Sequence, residues 1–199
     1  MNYPNGRKKQ GQSFHQPKQK EGFGKRGMTL EDDINVTNTY YISTNKAVVH
    51  KKPTPVQIVK VHYPKRSAAV ITEGYFKQAS TTDYNGIYRG RYIDFEAKET
   101  KSTTRFPLAN IHEHQAEHMK AIIAHGGIAF MIIRFTMLDL TYLLDAEKLL
   151  SYWYGQNKGG RKSIPLTYIE QEGFHIPFHY QARVDYLKIV DRLYFRSEE

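Results

Sequence analysis

The stretch Arg91-Tyr-Ile-Asp-Phe-Glu-Ala-Lys-Glu99 alternates polar or charged residues with apolar ones, which is the pattern of a β-strand with one buried face. On such a strand the apolar side chains point into a core, and Asp94, Glu96 and Lys98 share the opposite face. The Cα atoms of Glu96 and Lys98 are then roughly 6–7 Å apart. The sequence therefore predicts a carboxylate and an ammonium side by side on one face of a sheet.

The pair Glu96 and Lys98 suits the hydrolysis of a phosphodiester. A carboxylate is a hard oxygen ligand for Mg²⁺, and an ammonium can orient the attacking water or offset charge in the transition state. The same spacing recurs at Glu99-Thr-Lys101, but alternation places that copy on the apolar face beyond the core-forming part of the strand, where we expect it to be solvated. Because this spacing is common, a plain solvent-facing strand surface is the alternative interpretation of Glu96 and Lys98.

Asp83, which lies thirteen residues before Glu96, is the candidate for the second carboxylate of a metal site. It precedes Asn85-Gly86, a dipeptide typical of a hairpin turn, and an antiparallel pair of strands would bring Asp83 beside Glu96. Thr81 would share the face of Asp83 and could donate another oxygen.

The segment 110–125 has the apolar periodicity of a helix. Gln115 falls inside the apolar face of this helix, where an unpaired amide would cost roughly 1–3 kcal/mol. Its side-chain carbonyl could serve a metal ion or the water on that ion. A glutamine bonded to the backbone at the edge of the core is the alternative.

A competing motif on the same helix is His114-Gln-Ala-Glu-His118, which matches a zinc-peptidase pattern. The helical wheel places the two histidines beside the apolar face and Glu117 towards solvent, and a peptidase helix should show the reverse. We therefore expect the histidines at the surface or near a nucleic acid.

Strands and helices alternate along the chain after residue 75, which predicts an α/β arrangement in layers. A helix should begin at Thr29, since Thr29 can cap it and Asp32 can complete a capping box. The other predicted elements are strands at 91–98, 128–135 and 140–144 and helices at 110–125, 145–155 and 183–193.

Two segments are strongly basic. Residues 1–28 contain seven lysines and arginines, one acid and little to bury, so we predict a disordered arm that contacts nucleic acid; a solubilising tail is the alternative. Residues 46–72 contain no acid and two strand-like runs, 56–61 and 68–72, joined at Pro64-Lys-Arg66. We interpret them as a basic hairpin that projects from the domain, the alternative being an edge hairpin with protective lysines.

The composition excludes several classes of function. The chain has 199 residues and a net charge of +9, which favours a polyanionic partner. The absence of cysteine excludes disulfides, thiolate zinc sites and cysteine nucleophiles. No apolar run approaches the roughly 18 residues of a membrane span, so we expect a soluble, cytoplasmic protein without a membrane partner.

Thr81-Thr-Asp83, Asp94-Phe-Glu-Ala-Lys98 and Gln115 together resemble the PD-(D/E)xK nuclease superfamily. One departure is that Thr82 stands where the superfamily pattern has proline, which leaves the aspartate in place. Further stretches are similar to one branch of this superfamily, the RecU family of Holliday junction resolvases: Asn2-Tyr-Pro-Asn-Gly6, Arg26-Gly-Met-Thr-Leu-Glu31, Tyr75-Phe76 and Arg91 to Thr100.

The resemblance implies an α/β fold with a restriction-endonuclease-like mixed β-sheet flanked by helices. A basic β-hairpin stalk would project from it, inserted at about 46–76 in a nuclease domain of residues 29–199. The resemblance also implies a homodimer that resolves four-way DNA junctions in recombination and repair with Mg²⁺, for which Mn²⁺ could substitute. The further partners that it implies are the RecA recombinase and a branch-migration helicase, and the place of action would be the nucleoid.

By motif position, the resemblance assigns metal binding to Thr81, Asp83, Glu96 and Gln115. Asp83, Glu96 and Lys98 would be the catalytic residues, with Lys98 stabilising the transition state. The resemblance assigns DNA binding to Arg26 and Lys51. The basic turn of the hairpin adds Arg66, and its root adds Phe76 or Tyr75, which could stack on unpaired bases. A non-catalytic, basic DNA-binding or architectural protein is the alternative, because the arm and the hairpin alone would justify it.

Overall fold

The structure is a computed structural model that describes residues 28–77 and 81–195. The predicted basic arm, with Arg26, lies outside the described residues except for Met28. The helices are α1 (Leu30–Ser43), α2 (Glu113–Ala124), α3 (Ala146–Gln156), α4 (Leu166–Glu172) and α5 (Leu187–Tyr194). The strands are β1 (Val48–Lys51), β2 (Val56–His62), β3 (Val70–Phe76), β4 (Tyr84–Tyr88), β5 (Arg91–Thr100), β6 (Arg105–Pro107), β7 (Ile128–Phe135), β8 (Leu140–Asp145), β9 (Ser163–Pro165) and β10 (Phe174–His175). In the described part of the chain, no helix combines the length and the apolar character needed to cross a membrane.

The main sheet is mixed. Its strands lie in the order β1-β4-β5-β7-β8-β10, in which β5 and β7 are parallel and the other neighbours are antiparallel. α2 lies in the crossover from β5 to β7, since two parallel strands need a long connection. This order places β5, the strand with the alternating pattern, in the interior of the sheet.

Two hydrophobic cores cover the two faces of the sheet. α1 and α5 pack on the face of Phe95, whose ring stacks between those of Tyr84 and Phe130 at 4.8 Å from each. α2, α3, α4 and the β6–β9 ribbon pack on the other face, around Met131 and Ile133. The predicted α/β fold, a mixed sheet flanked by helices, is confirmed.

The beginning of α1 is the one that the sequence predicts. The hydroxyl of Thr29 accepts a hydrogen bond from the backbone N–H of Asp32 (3.1 Å), and the Asp32 carboxylate accepts one from the N–H of Thr29 (3.1 Å). The other predicted helices and strands also form, with ends displaced by a few residues. Long periodic segments are predictable because one buried face defines their period.

The turn between β4 and β5 is not the predicted one. Asn85 and Gly86 lie inside β4, and the turn is Arg89-Gly90, whose φ angles of 49° and 77° are those of a tight hairpin turn. Gly86 is needed for another reason, because a Cβ there would lie 2.1 Å from the carbonyl oxygen of Val48 in β1. The glycine permits the close approach of the edge strand.

The hairpin β2–β3 forms a two-stranded sheet of its own, with Val56 opposite Phe76. Every residue of both strands is exposed, which confirms the predicted projecting hairpin. Two details of the prediction were wrong. Val48–Lys51 belongs to the main sheet, so the hairpin begins at Val56, and β3 begins at Val70 rather than Ala68 because a 3₁₀ turn occupies Arg66–Ala68.

The sequence did not predict the short elements. β1, β6, β9 and β10 have four, three, three and two residues, which is too short for a periodicity to be visible. Two of these strands, β6 and β9, are far apart in the sequence but pair with each other, so that Arg105 lies opposite Pro165. These contacts depend on the tertiary fold and not on local sequence.

We expect Gly86→Ala to lower the free energy of unfolding by about 2–3 kcal/mol, because the new Cβ would collide with the backbone of β1. Gly155→Ala in α3 is the matched control, since nothing lies within 4 Å of its Cβ position. That variant should be up to about 1 kcal/mol more stable, as alanine is the better helix former. Urea titration measures both values, and equal effects of the two substitutions would contradict the packing argument.

Candidate active site

The pairing of β4 with β5 brings Asp83 and Glu96 together. Tyr84 lies opposite Phe95, so the preceding residue, Asp83, lies beside Glu96. The backbone N–H of Asp83 donates a hydrogen bond to Glu96 Oε2 (3.1 Å). The predicted proximity of the two carboxylates is therefore present, although the turn that produces it lies four residues later than expected.

The alternation of β5 has the predicted consequence for Glu96 and Lys98. In the register with β7, Glu96 lies beside Met131 and Lys98 beside Ile133, so both side chains face the α2 side of the sheet. Lys98 Nζ is 2.8 Å from Glu96 Oε1. This oxygen is buried and has no hydrogen bond of good geometry, so the lysine charge is its principal stabilising contact.

Burial makes Glu96 an unusual carboxylate. Its side chain is fully buried, and the loss of solvation raises its pKa to about 7, against the opposing effect of the Lys98 charge. The neighbouring carboxylate of Asp83 raises the pKa further. A carboxylate with so little stabilisation from the protein is a ready ligand for a cation.

Gln115 is buried, as the helical wheel predicts. Its side-chain oxygen accepts a hydrogen bond from the backbone N–H of His112 (3.0 Å) and so caps the first turn of α2. The backbone-bonded glutamine that the sequence left open as an alternative is thus the arrangement seen. A carbonyl oxygen has two lone pairs, so one acceptor position of Gln115 is still available.

The donors around Asp83 and Glu96 are of the kind that hold a hard divalent cation. Thr81, two residues before Asp83, is half-buried, and its hydroxyl donates to the carbonyl of Thr82 (3.2 Å). In residues 28–77 and 81–195, no group of three or more His, Asp or Glu side chains is placed to hold a metal ion. A cation at this site would therefore rely on two carboxylates and on neutral oxygens, which fits Mg²⁺ with several waters.

A second buried carboxylate lies two residues before Glu96, and its role is not visible in the sequence. Asp94 is fully buried, with Lys52 Nζ at 2.7 Å and the hydroxyl of Tyr92 at 2.9 Å from Oδ2. Thr82 donates its hydroxyl to Oδ1, and His118 Nε2 lies 3.3 Å from Oδ2. We call Asp94 and these four partners the Asp94 network.

The Asp94 network fixes the chain on either side of Asp83. The Lys52 ammonium also donates to the hydroxyl of Thr82 (3.0 Å), and the Lys52 backbone N–H donates to the carbonyl of Asp83 (2.7 Å). A single residue at the base of the hairpin thus contacts Thr82, Asp83 and Asp94. The only indication of this role in the local sequence is that Asp94 shares a strand face with Glu96.

Of the four predicted DNA-binding residues, Lys51 and Phe76 have side chains that the structure describes. Lys51 forms an ion pair with Glu31 of α1, so acids from outside the hairpin neutralise Lys51 and Lys52. Phe76 has 83% of its surface exposed at the root of the hairpin. Arg66 lies in the turn of the hairpin, where the structure does not describe its side chain, and Arg26 precedes the described residues.

Neither of the two competing motifs has the arrangement that its pattern suggests. The carboxylate of Glu117 is exposed and accepts a hydrogen bond from Tyr154 (2.7 Å), whereas His118 faces Asp94. Glu99, the second Glu-x-Lys copy, faces the α1 side, where it accepts a hydrogen bond from the N–H of Leu30 (2.7 Å). The expected solvent exposure of Glu99 is found, and Glu99 also supplies the acceptor that the beginning of α1 needs.

The raised pKa of Glu96 predicts a pH dependence of stability in EDTA. The folded protein binds this proton more tightly than the unfolded chain, so its stabilising effect is complete below about pH 4.5 and is lost as pH rises through about 7. The loss should be about 3 kcal/mol at most. Urea titrations at pH 5 and pH 8 measure it, and Glu96→Gln should remove this part of the pH dependence. Parallel behaviour of the two proteins would contradict the assignment.

A second prediction separates two adjacent lysines. Lys52→Met leaves Asp94 buried without its main counter-ion and should lower the free energy of unfolding by about 3 kcal/mol or more. Lys51→Met removes an exposed ion pair with Glu31 and should cost less than about 1 kcal/mol. Denaturant titration of the two variants under one set of conditions gives the comparison. Similar losses for both would mean that the Asp94 network does not depend on Lys52.

Comparison with known proteins gives the family of the chain. The family RecU, Recombination protein U, matches residues 25–192. Among proteins named Holliday junction resolvase RecU, that of Oceanobacillus iheyensis is 66% identical over 98% of this chain and 100% of its own length, and that of Geobacillus kaustophilus is 59% identical over 98% of each. The solved structure of Hjc from Archaeoglobus fulgidus, a Holliday junction resolvase, shares 7% identity and a TM-score of 0.35 over 57% of this chain and 77% of that one, which is too little to support an argument. Since the family match spans most of the chain and these relatives align along nearly all of it, the chain belongs to the RecU family.

Proposed function

We propose that this protein is a structure-selective endonuclease that resolves four-way DNA junctions by Mg²⁺-dependent hydrolysis of phosphodiester bonds in homologous recombination and repair. The observation that supports this most is the buried Glu96, which lies beside Asp83 and is 2.8 Å from Lys98. Two carboxylates and a lysine on one strand pair are the groups that metal-assisted phosphodiester hydrolysis needs. The names of the relatives support the choice of a four-way junction as the substrate.

In this proposal Asp83 and Glu96 hold the Mg²⁺, and Thr81 and Gln115 contribute further oxygens. The bound cation would supply Lewis acidity and offset the charge that develops on the phosphate. Mn²⁺ would be able to replace it, since it accepts the same oxygen ligands. Lys98 orients the attacking water and offsets negative charge in the transition state. Asp94 is no ligand in this scheme, because its carboxylate is already saturated by the Asp94 network.

We assign DNA binding outside the site to three places. These are Arg26 in the arm, Lys51 at the base of the hairpin, and Arg66 and Phe76 in the hairpin itself. The exposed ring of Phe76 suits stacking on an unpaired base at the open centre of a junction. The lysines of the hairpin suit phosphates.

A homodimer is part of the proposal. A four-way junction needs two coordinated cuts, and a two-fold dimer presents two equivalent sites. The hairpin exposes Val56, Ile58, Val61, Val70 and Ile71, and an isolated hairpin of this kind is marginally stable in water. A second copy of the chain would cover part of this apolar surface. Interaction with the RecA recombinase and a branch-migration helicase, at the nucleoid, rests on the family resemblance alone.

The alternative function is a non-catalytic, basic DNA-binding or architectural protein. It explains the arm and the hairpin, but it gives no reason for burying Glu96 against Asp83 and Lys98. The two proposals differ in what a neutral substitution at the carboxylates should do.

A cleavage assay on a synthetic four-way junction tests the proposal. The protein should cut the junction in Mg²⁺ and spare linear duplex, and Asp83→Asn and Glu96→Gln should each reduce cutting by at least about 10²-fold while junction binding persists. Glu99→Gln is the matched control, because Glu99 faces the other side of the sheet. Mg²⁺ should also raise the melting temperature of the unsubstituted protein and not that of Glu96→Gln. Undiminished cutting by both carboxylate variants would rule out the assigned site, and binding without any cutting would favour the alternative.

A further inference from the structure

Unpaired positive charge is concentrated in two places on the described structure. Most lysines and arginines of the main domain have an acidic partner within 4.0 Å, among them Lys46, Arg134, Lys148 and Arg183. One group without such partners among residues 28–77 and 81–195 lies on the hairpin. The other group lies at the start of β6 and in the chain segments next to the β6–β9 ribbon: Lys101, Arg105, Lys158, Arg161 and Lys162.

We call these five residues the basic loop cluster. All five are exposed, and neither 100–112 nor 156–169, the segments that contain them, includes an Asp or Glu. Arg105, Arg161 and Lys162 line an open cavity of about 460 Å³ together with Thr104 and Ser163. Like charges gathered without a compensating acid repel each other, so their proximity favours a polyanionic ligand.

The main chain holds the two loops together. β6 and β9 pair antiparallel, with Pro107 opposite Ser163. The N–H of Leu108 donates to the carbonyl of Lys162 (3.1 Å), and the N–H of Leu166 donates to that of Thr104 (2.8 Å). Phe106 and Ile164 are buried beneath the ribbon. The charges are therefore presented by a fixed framework rather than by a free tail.

The position of the cluster relative to Glu96 and Lys98 is set by β5. These two side chains face the α2 side of the sheet, and the β6–β9 ribbon packs on that same side. β5 ends at Thr100 and leads directly into Lys101, roughly 17 Å from Glu96 at 3.3 Å per residue. The hairpin leaves the domain beside Asp83, through Lys52. The hairpin and the basic loop cluster thus both adjoin the active site, the first beside Asp83 and the second beyond the end of β5.

We propose that the basic loop cluster binds the sugar–phosphate backbone of the duplex arm that leads away from the cut phosphodiester. At a rise of about 3.4 Å per base pair, the separation of roughly 17 Å between Glu96 and Lys101 corresponds to about five base pairs. The contact is independent of base sequence, because phosphates carry no sequence information. This inference rests on the proposed function, since it places a DNA duplex at Glu96.

The salt dependence of junction binding tests the inference. Arg161→Gln/Lys162→Gln removes two charges from an exposed loop, and the matched control Lys188→Gln/Arg192→Gln removes two from α5, on the opposite face of the sheet. Binding of a four-way junction is measured in EDTA, so that no cutting occurs. The slope of log K against log salt should become less steep by about 1.8 for the loop variant and stay unchanged for the control. Equal slopes for the two variants would overturn the inference.

A second measurement locates the contact on the DNA. Methylphosphonate linkages, which have no charge, replace the phosphates about four to six base pairs from the mapped cut on one arm. They should weaken binding by the unsubstituted protein and leave binding by the loop variant unchanged, since both changes remove the same contact. Additive effects would place the cluster on another part of the junction and overturn the assignment. Cutting of the unmodified junction by the unsubstituted protein in Mg²⁺ tests the proposed function separately, because the salt-dependence measurement does not require cutting.

Discussion

The stacking of Phe95 between Tyr84 and Phe130 fixes the register on which the active site depends. Tyr84 and Phe95 are partners across β4 and β5, and their rings lie 4.8 Å apart in the core. A slip of one residue in this pairing would turn Phe95 to the α2 side of the sheet and Glu96 to the α1 side, into the aromatic core. The packing of three aromatic rings therefore determines that Asp83 and Glu96 meet on the opposite face of the sheet.

Two buried carboxylates on that face have opposite surroundings. Asp94 has a lysine, two hydroxyls and a histidine around it, and is satisfied within the protein. Glu96 has one backbone N–H and a poorly aligned lysine, and its Oε1 has no hydrogen bond. A fully satisfied carboxylate stabilises the fold, whereas an incompletely satisfied one stores unfavourable energy that a ligand can relieve. This difference separates the structural carboxylate from the catalytic candidate more clearly than sequence position does.

The sequence predicts those parts of the site that depend on the side-chain periodicity of a single strand or helix. The alternation of β5 places Glu96 and Lys98 on one face, and the helical wheel places Gln115 in the core. It fails where distant segments decide the outcome. Asn85-Gly86 resembles a turn, but Gly86 serves the approach of β1, and the partner of Asp94 is a lysine forty-two residues away. Such contacts have no local period and become visible only in the folded chain.

The attachment of the hairpin has a consequence for how the protein could be divided into modules. By chain order the segment from Lys52 to Lys77 is an insertion between two neighbouring strands of the sheet, which suggests a part that could be exchanged between proteins. Its first residue, however, neutralises Asp94 and holds the carbonyl of Asp83. A graft or deletion that begins after Lys52 leaves these contacts intact. One that includes Lys52 leaves the buried carboxylate of Asp94 without its ammonium partner. The structural boundary of the hairpin therefore lies one residue inside the boundary that topology suggests.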